Sequence, residues 1–523
     1  MSRRWKIVIG IAAILIVAFG ALMTVTAVYI SRHARAWVVD FLTQEFKSDV
    51  ELSSFKVSIP FPLVQIEGEA LALHFEGRND LPAMIAVKRF TVRTSLPGLL
   101  RIPRHIQYVH LDGLQINIPP RGERESEGAG GARKAMSKFS SVRMDNILSE
   151  NAVLKILTRK PGKDPLEFDI KQLNLHSTGS DGALAFRATL TNPTPPGEIL
   201  STGTFGPWNA DAPSLTPVSG EYTFDNADLG HFRGIGGILS AKGTYQGVLE
   251  EIQTEGVTDT PDFRVTRAAH PVHLTTTFHA TVDGTNGDTY LHPVETHFGK
   301  TILVAQGSVE GTAGKQGKTI TLDVTGDQAQ IEDLLLFALK ESPAMAGAMR
   351  LKTKFILTPG SREIPDRMTL NGSFEIPSAH FTRGSMQQKV DNMSKRSQGD
   401  PKKVEDLQSQ VRSDDVASAI KGNFRMQDGT LTLSRFGFAI PGANVHLDGT
   451  YSLDQESLDL HGKLEMEARL SQTTTGVKSF LLKAVDPFFS KNGKGTVLPI
   501  KITGPVNHPS YGLDRGRKDK AKN

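Results

Sequence analysis

From Val50 onward, apolar and polar residues alternate with a period of two through most of the chain. Successive side chains of a β-strand point to opposite faces of a sheet, so this period predicts strands with one apolar face and one polar face. The clearest apolar faces are Leu114, Ile116 and Ile118; Leu351, Phe355 and Leu357; and Leu458, Leu460, Leu464 and Met466. The sequence therefore predicts a mainly β protein.

Short turn signals separate these runs, and glycine after Asp, Asn or Pro is typical of the turns that join antiparallel strands. The predicted turns are Asp283-Gly284, Asn371-Gly372, Asp428-Gly429, Pro441-Gly442, Asp448-Gly449 and Asn492-Gly493. Three segments have a helical pattern instead: the amphipathic stretch from Trp37 to Phe46, residues 331–340, and residues 386–412, which is broken around Gly399 and Pro401. The expected fold is an antiparallel meander with a few short helices.

The longest uncharged stretch of the chain is near its N-terminus, where 24 residues run from Ile7 to Ile30 without a charge. As a helix this stretch would be about 36 Å long, enough to cross a hydrocarbon core of about 30 Å. The predicted membrane-anchor residues are Trp5, Ile7, Leu15, Phe19, Tyr29 and Ile30. A cleaved signal peptide is the competing interpretation, because Ala34-Arg35-Ala36 resembles a cleavage site, but the apolar region of a signal peptide spans only about 7–15 residues.

The charges that flank this stretch favour a cytoplasmic N-terminus. Arg3, Arg4 and Lys6 precede it, whereas Arg32 and Arg35 follow it, and positive residues concentrate on the cytoplasmic side of a span. The chain has no cysteine, which fits an oxidising compartment. We therefore expect a single-pass membrane protein with the bulk of the chain in the periplasm.

Charge and motifs argue against several classes of function. The 60 Lys and Arg exceed the 56 Asp and Glu by only 4 over 523 residues, too dilute a charge for a nucleic-acid binder. Without cysteine there is no thiol catalysis and no Cys-ligated metal site. The segment from Gly311 to Thr319 has the wrong glycine spacing for a phosphate-binding loop, and His292 and His297 lack a further ligand. We expect no enzymatic activity, no catalytic residue, no metal and no cofactor.

Composition and pattern divide the chain into seven segments. They are a transmembrane anchor (1–32), a helix with the first strands (33–118), a flexible Gly-rich loop (119–140), a central β region (141–330), a β region with a helical insert (331–415), a C-terminal β region (416–510) and a basic tail (511–523).

Several of these stretches are similar to one family. The N-terminal stretches are ARAWVVDFLTQEFKSDVEL and SSFKVSIPFPLVQIEGEALALHF, the middle one is ADLGHFRGIGGILSAKGTYQGVLEEIQTEG, and the C-terminal ones are FAIPGA, GTYSLDQESLDLHGKLEMEARLSQ and TVLPIKITGPVNHPSYGLD. Together they resemble the AsmA-like family of Gram-negative envelope proteins, of AsmA, TamB and YhdP type. The resemblance covers about half of the chain and consists of β patterns, with no catalytic signature.

The resemblance implies an elongated, curved antiparallel β-sheet, open along one side like a taco, with an apolar groove that accepts acyl chains. It implies a protein of the bacterial inner membrane that binds phospholipid or a similar amphiphile and helps to move it to the outer membrane, together with an outer-membrane or periplasmic partner protein. The candidate groove residues are Leu114, Ile116, Leu351, Phe355, Leu447, Leu458, Leu460 and Leu464.

The residues themselves leave two alternatives open. Strands with one apolar face bury it either by curling around a groove or by packing on a second sheet as a filled β-sandwich. A filled interior would suit a different function, that of an assembly factor for outer-membrane proteins or lipopolysaccharide that binds no lipid.

Overall fold

The structure is a computed structural model of the chain. It describes residues 25, 28–29, 32–44, 46, 48–60, 63–75, 82–100, 104–118, 142–157, 166–177, 182–209, 212–268, 270–311, 317–337, 339–399, 416–473, 495–506 and 508–514.

The described residues are mainly β, as the period of two predicts. The strands are β1 (Ser48–Ser58), β2 (Leu63–Phe75), β3 (Ile85–Ser95), β4 (Arg104–Ile106), β5 (Tyr108–Asp112), β6 (Gln115–Ile118), β7 (Val142–Met144), β8 (Ile147–Ile156), β9 (Leu166–Ser177), β10 (Leu184–Pro193), β11 (Pro196–Phe205), β12 (Pro217–Asp228), β13 (Ile235–Gly236), β14 (Ile238–Val248), β15 (Glu251–Val265), β16 (Val272–Val282), β17 (Thr289–Phe298), β18 (Thr301–Gly311), β19 (Lys318–Gln330), β20 (Met345–Ala346), β21 (Ala348–Leu357), β22 (Met368–Phe381), β23 (Ser418–Gln427), β24 (Thr430–Ile440), β25 (Ala443–Ser452), β26 (Ser457–Met466), β27 (Thr496–Pro505) and β28 (Ser510–Leu513).

The helices of the described part are short. They are α1 (32–44), α2 (Leu96–Leu100), α3 (Ile331–Leu335), α4 (Ile364–Arg367) and α5 (Gly384–Ser397). Helix α1 confirms the amphipathic helix, and α3 and α5 confirm the helical segments predicted at 331–340 and 386–412. The predicted second part of the last segment, residues 400–412, lies outside the described residues.

The chain divides into two compact units. Unit 1 comprises residues 1–225, 242–254 and 281–288, and unit 2 comprises residues 226–241, 255–280 and 289–523.

Unit 1 combines antiparallel and parallel pairing. Strands β1, β2 and β3 pair antiparallel in succession, and so do β8 to β12. Between these groups, β5 and β6 pair antiparallel with β3 but parallel with β8. Parallel strands need a crossover connection of about a dozen residues or more, and the chain from β6 to β8 is longer than that. The prediction of a purely antiparallel meander is therefore wrong at this place.

Unit 2 is an antiparallel meander from β17 to β28, in which each long strand pairs with the next. The register of β25 with β26 is continuous from the Ala443 and Met466 pair to the Ser452 and Ser457 pair. Without a bulge, Leu458, Leu460 and Leu464 lie on one face of β26.

An ion-paired histidine attaches the end of β28 to β26. The His461 ring donates hydrogen bonds to Asp514 (2.7 Å) and Asp459 (3.0 Å). The hydrogen bond to Asp514 makes the largest contribution to raising the pKa of His461 above its ordinary value, and the one to Asp459 adds to it, against a smaller opposing effect of burial. The segment assigned to the basic tail therefore begins with residues that belong to the sheet.

Two of the predicted turns are in fact strand interiors. The predicted turns at residues 283–284, 428–429 and 441–442 are confirmed, and residues 492–493 lie outside the described part of the chain. Gly372 and Gly449, however, are in the middle of β22 and β25. A Cβ would lie 2.2 Å from the Lys352 carbonyl oxygen at Gly372, and 2.0 Å from that of Asp459 at Gly449. Glycine is needed there because the neighbouring strand is too close for a side chain.

The predicted anchor lies almost wholly outside the described residues, as do the predicted loop 119–140 and residues 515–523 of the tail. Of the anchor residues only Tyr29 is described; it is 54% exposed, and its ring lies 4.4 Å from that of His33. No helix of the part that the structure describes is long and apolar enough to cross a membrane.

Candidate functional site

An apolar cavity of about 780 Å³ lies within unit 2. Its walls are formed mainly by aliphatic, methionine and phenylalanine side chains of β21 to β24, with further residues from α3 and α4. Pockets that bind small molecules in proteins usually have volumes of about 300–1,000 Å³ and predominantly apolar walls. The cavity therefore has the size and lining of a ligand site.

The alternation of the strands explains why this face is apolar. In β21, Met349 and Leu351 point into the cavity, whereas Arg350 and Lys352 are exposed on the opposite face. Because side chains of a strand alternate between faces, one strand supplies both the apolar wall and a polar outer surface. The neighbouring strands β22, β23 and β24 repeat this arrangement.

Glycines make room for aromatic rings in the cavity wall. Gly372 of β22 pairs with Phe424 of β23, and Phe374 of β22 pairs with Gly422 of β23. Each ring thus has a cross-strand partner without a side chain, and a Cβ at Gly422 would lie 3.3 Å from the Phe374 ring. The ring centroid of Phe374 lies 6.2 Å from that of Phe424 and 6.3 Å from that of Phe436. The three rings form one continuous apolar surface.

The interior of unit 2 is not filled at this cavity. Ile376 and Ile420 at its base are buried, but Leu351, Phe374 and Leu433 in its walls are only half-buried. Large apolar side chains in a close-packed core lose nearly all of their exposure. The half-buried ones leave apolar surface that an apolar ligand could cover.

A network of ion pairs borders one end of the cavity. The Arg267 guanidinium donates hydrogen bonds to Glu363 (2.7 Å), Asp366 (2.9 Å) and Asp454 (2.8 Å). Glu363 and Asp366 belong to one segment, α4 with its preceding residue, and Asp454 lies in the turn between β25 and β26. Arg267 therefore connects its own segment to two others. Burial alone would lower the pKa of Arg267, but the hydrogen bonds to Asp366 and Glu363 outweigh it and raise that pKa.

A second ion pair lies beside this network. Lys340 and Glu456, whose side chains approach to 2.7 Å, both line the cavity together with Arg267 and Asp454. The cavity therefore has a polar end and apolar walls, which matches the two parts of an amphiphile. Among the residues that the structure describes, no group of three or more His, Asp or Glu side chains is placed to hold a metal ion.

The structure places only one of the predicted groove residues in this cavity. Leu351 lines it. Phe355 is half-buried and follows on the same face of β21, but it does not line the cavity.

The four C-terminal groove candidates form a separate cluster, the β25–β26 cluster. Its buried members are Val445, Leu447 (3% exposed) and Leu460 (6% exposed), and Leu458 and Leu464 pack against them half-buried. Leu433 and Phe436 also pack against this cluster, and both line the cavity. The apolar surface of unit 2 thus continues from the cavity into a closed core.

The remaining two candidates lie in unit 1. Leu114 is 5% exposed and belongs to a core that includes Val64, Val87 and Ala152, and Ile116 packs against it half-buried. The structure therefore distributes seven of the eight candidates among a cavity wall, a closed cluster and the core of the other unit, and Phe355 belongs to none of the three.

Several residues of the site were missed in the sequence. Arg267 is 96 to 187 residues away from its three carboxylate partners, so no local pattern connects them. Phe374, Phe424 and Phe436 could have been predicted as cavity residues from the sequence, because each is on the apolar face of an alternating strand. No protein-family model and no curated protein matches this chain.

Proposed function

We propose that this chain binds phospholipid or a similar amphiphile in the cavity of unit 2 and helps to transport it between the inner and outer membranes, in support of outer-membrane homeostasis. The observation that carries the proposal is an unfilled apolar cavity of about 780 Å³ with a charged border at one end.

The lining suits a flexible acyl chain. Aliphatic, methionine and phenylalanine side chains cover its walls, and methionine in particular adapts to ligands of variable shape. An acyl chain gains about 0.8 kcal/mol for each CH₂ group that it buries, without a need for directed hydrogen bonds. The head group of such a ligand would lie at the polar end, beside Arg267 and Lys340.

The membrane arrangement belongs to the same proposal. We propose a single-pass anchor between Ile7 and Ile30 in the bacterial inner membrane, with the N-terminus in the cytoplasm and the bulk of the chain in the periplasm. The resemblance to the AsmA-like family supports this arrangement, as well as an elongated, curved sheet with an open groove and a partner protein at the far membrane. We propose no enzymatic reaction.

The β25–β26 cluster favours the alternative function. Leu447 and Leu460 are buried there, so this part of the interior is filled, as in a protein that acts through protein contacts alone. An assembly factor for outer-membrane proteins or lipopolysaccharide is therefore the second candidate.

Photo-crosslinking at neighbouring positions of β21 separates these functions. A photoreactive amino acid at Leu351 faces the cavity, and the same amino acid at Lys352 faces outward, so the second variant is a matched control. Mass spectrometry of the protein isolated after irradiation of living cells should find phospholipid adducts at position 351 and few at position 352. Equal or absent labelling at the two positions would favour the assembly factor.

Reporter fusions test the membrane arrangement independently. A phosphatase that is active only in the periplasm should be active when fused after Asn523, and a reporter that fluoresces only in the cytoplasm should stay dark there. The opposite pattern would contradict the proposed localisation, whatever the cavity binds.

A further inference from the structure

A second concavity of unit 2, of about 1050 Å³, is lined by exposed polar side chains together with a few apolar residues, among them Val304, Val324 and Phe424. It lies on strands β18, β19 and β21 to β24, and its exposed side chains belong to the faces that point away from the apolar cavity. The proposed lipid site does not use this surface.

The strand register places its side chains in two rows. Cross-strand pairing aligns Asp323, Lys354, Asn371, Arg425 and Thr432 in row A, and Thr325, Lys352, Ser373, Asn423 and Ser434 in row B. All ten are exposed, and all ten line the concavity. Five strands at about 4.8 Å spacing make each row about 19 Å long. The rows form one concave polar surface, which we call the two-row surface.

Most polar groups of the two-row surface have no partner in the described part of the chain. Lys352 and Lys354 form no ion pair there, and the side chains of Asn371, Ser373 and Asn423 form no hydrogen bond there. The hydroxyls of Thr432 and Ser434 likewise form no hydrogen bond within the described part of the chain. Their donors and acceptors are therefore available to a ligand.

The charge of the two-row surface is positive. Lys352 and Lys354 on β21 and Arg425 on β23 flank the central strand β22. Asp323, the cross-strand partner of Lys354, is the one acidic member among the described residues. Lys352 and Lys354 are two residues apart on one face of β21, so their ammonium groups act on the same ligand. Charge-assisted hydrogen bonds from such groups favour phosphate, sulfate or carboxylate.

The amides and hydroxyls narrow the class of ligand. Asn side chains donate and accept, and Ser and Thr hydroxyls do the same, which suits a ligand rich in hydroxyl groups. Of the residues that the structure describes, Phe424 is the one aromatic residue that lines this concavity, and it also lines the apolar cavity, where its ring neighbours that of Phe374. The ten row residues themselves include no aromatic and no large apolar side chain, which protein interfaces and single-stranded nucleic acids need for their main contacts. A concave surface also fits an extended chain better than the flat surface of a membrane.

We propose that the two-row surface binds an extended anionic glycan, with Lys352, Lys354 and Arg425 at its anionic groups and the Asn, Ser and Thr side chains at its hydroxyls. The ten row side chains are distinct from those of the lipid site, because they lie on the opposite face of the same strands, although Thr353 and Phe424 line both concavities.

Binding of dextran sulfate to the purified full-length chain tests the role of the charges. The double variant Lys352→Gln/Lys354→Gln should weaken binding at least tenfold and reduce its dependence on salt concentration. The matched control is Lys463→Gln/Lys501→Gln, which removes two exposed lysines from β26 and β27 and should leave the affinity unchanged. Equal weakening by the two double variants would overturn the site.

A second set of probes tests the class of ligand. Neutral dextran, polyglutamate and anionic phospholipid vesicles should each bind at least tenfold more weakly than dextran sulfate. The variant Ser373→Ala/Asn423→Ala, which keeps every charge, should weaken dextran sulfate binding severalfold and leave polyglutamate binding unchanged. Equal binding of polyglutamate or of vesicles, or no effect of this variant, would show a general anion-binding surface and refute the glycan.

Discussion

Replacing Leu460 by glutamate places a carboxyl group inside the β25–β26 cluster. Leu460 is 6% exposed, and its cross-strand partners are Gly449 and Ile502. The two strands are close at this point, because a Cβ at Gly449 would lie 2.0 Å from the Asp459 carbonyl oxygen. Because Leu460 is buried together with Val445 and Leu447, the new carboxyl group is placed among apolar side chains.

Two effects set the size of the destabilisation. Loss of the buried leucine costs about 2 kcal/mol, and keeping the carboxyl protonated at pH 7, far above an ordinary pKa of about 4.3, costs about 3.7 kcal/mol. We therefore expect Leu460→Glu to lower the free energy of unfolding by about 6 kcal/mol at pH 7, which corresponds to roughly 10–20 °C in Tm for a unit of this size.

The pH dependence identifies the cause. Burial raises the folded-state pKa of the introduced carboxyl, so its unfavourable contribution is absent below the unfolded-state pKa of about 4.3 and grows as pH rises toward the folded-state value. The Tm difference between wild type and Leu460→Glu should therefore be smaller at pH 4 than at pH 7. At pH 4 only the loss of leucine packing should remain.

Thermal melting followed by circular dichroism measures this difference, and two variants are matched controls. Lys463→Glu places the same carboxyl on the exposed face of β26 and should leave Tm nearly unchanged. Leu351→Glu places it in the half-buried cavity wall, where water can reach it, and should cost less than Leu460→Glu. If Leu460→Glu melts within about 3 °C of Lys463→Glu, the buried placement is wrong and Leu460 lines a solvated groove.

Three further predictions concern single contacts. The His461 ion pairs should stabilise β28 fully below about pH 6.5 and lose this effect as pH rises through the raised pKa of His461. Amide hydrogen exchange of β28, corrected for intrinsic rates, should therefore accelerate at high pH in the wild type but not in His461→Gln. Gly449→Ala should lower Tm by about 2–12 °C, because overpacking costs about 1–3 kcal/mol. The matched control is Gly384→Ala, which should not lower Tm, because the space around Gly384 is open. Arg267→Met should lower the free energy of unfolding in urea by about 1.5–3 kcal/mol. Arg267→Lys should lower it less, because the ammonium group keeps the charge. Equal losses in the two variants would contradict a stabilising role of the Arg267 ion pairs.

Glycine limits how well turns can be predicted from this sequence. Asp428-Gly429 and Asn371-Gly372 have the same local signal, yet the first is a hairpin turn and the second is in the middle of β22. In the second case glycine is needed because the preceding strand β21 approaches closely at Lys352 and Thr353. A dipeptide carries no information on how closely that strand approaches.

The sequence by itself determined the strands and their faces. The alternation of Leu351 with Lys352, and of Leu460 with Asp459, requires a β-strand with one apolar face, because side-chain direction follows from the backbone period alone. The same reasoning separated the polar surface of β21 from its apolar one.

Only the tertiary structure decided what covers each apolar face. Leu351 and Leu460 have the same local pattern, but one lies in the wall of an unfilled cavity and the other in a closed cluster. Burial depends on side chains from other strands, and the partners of Arg267 likewise come from up to 187 residues away. Such contacts form because the sheet brings distant strands together, and no periodicity within a single strand encodes that distance.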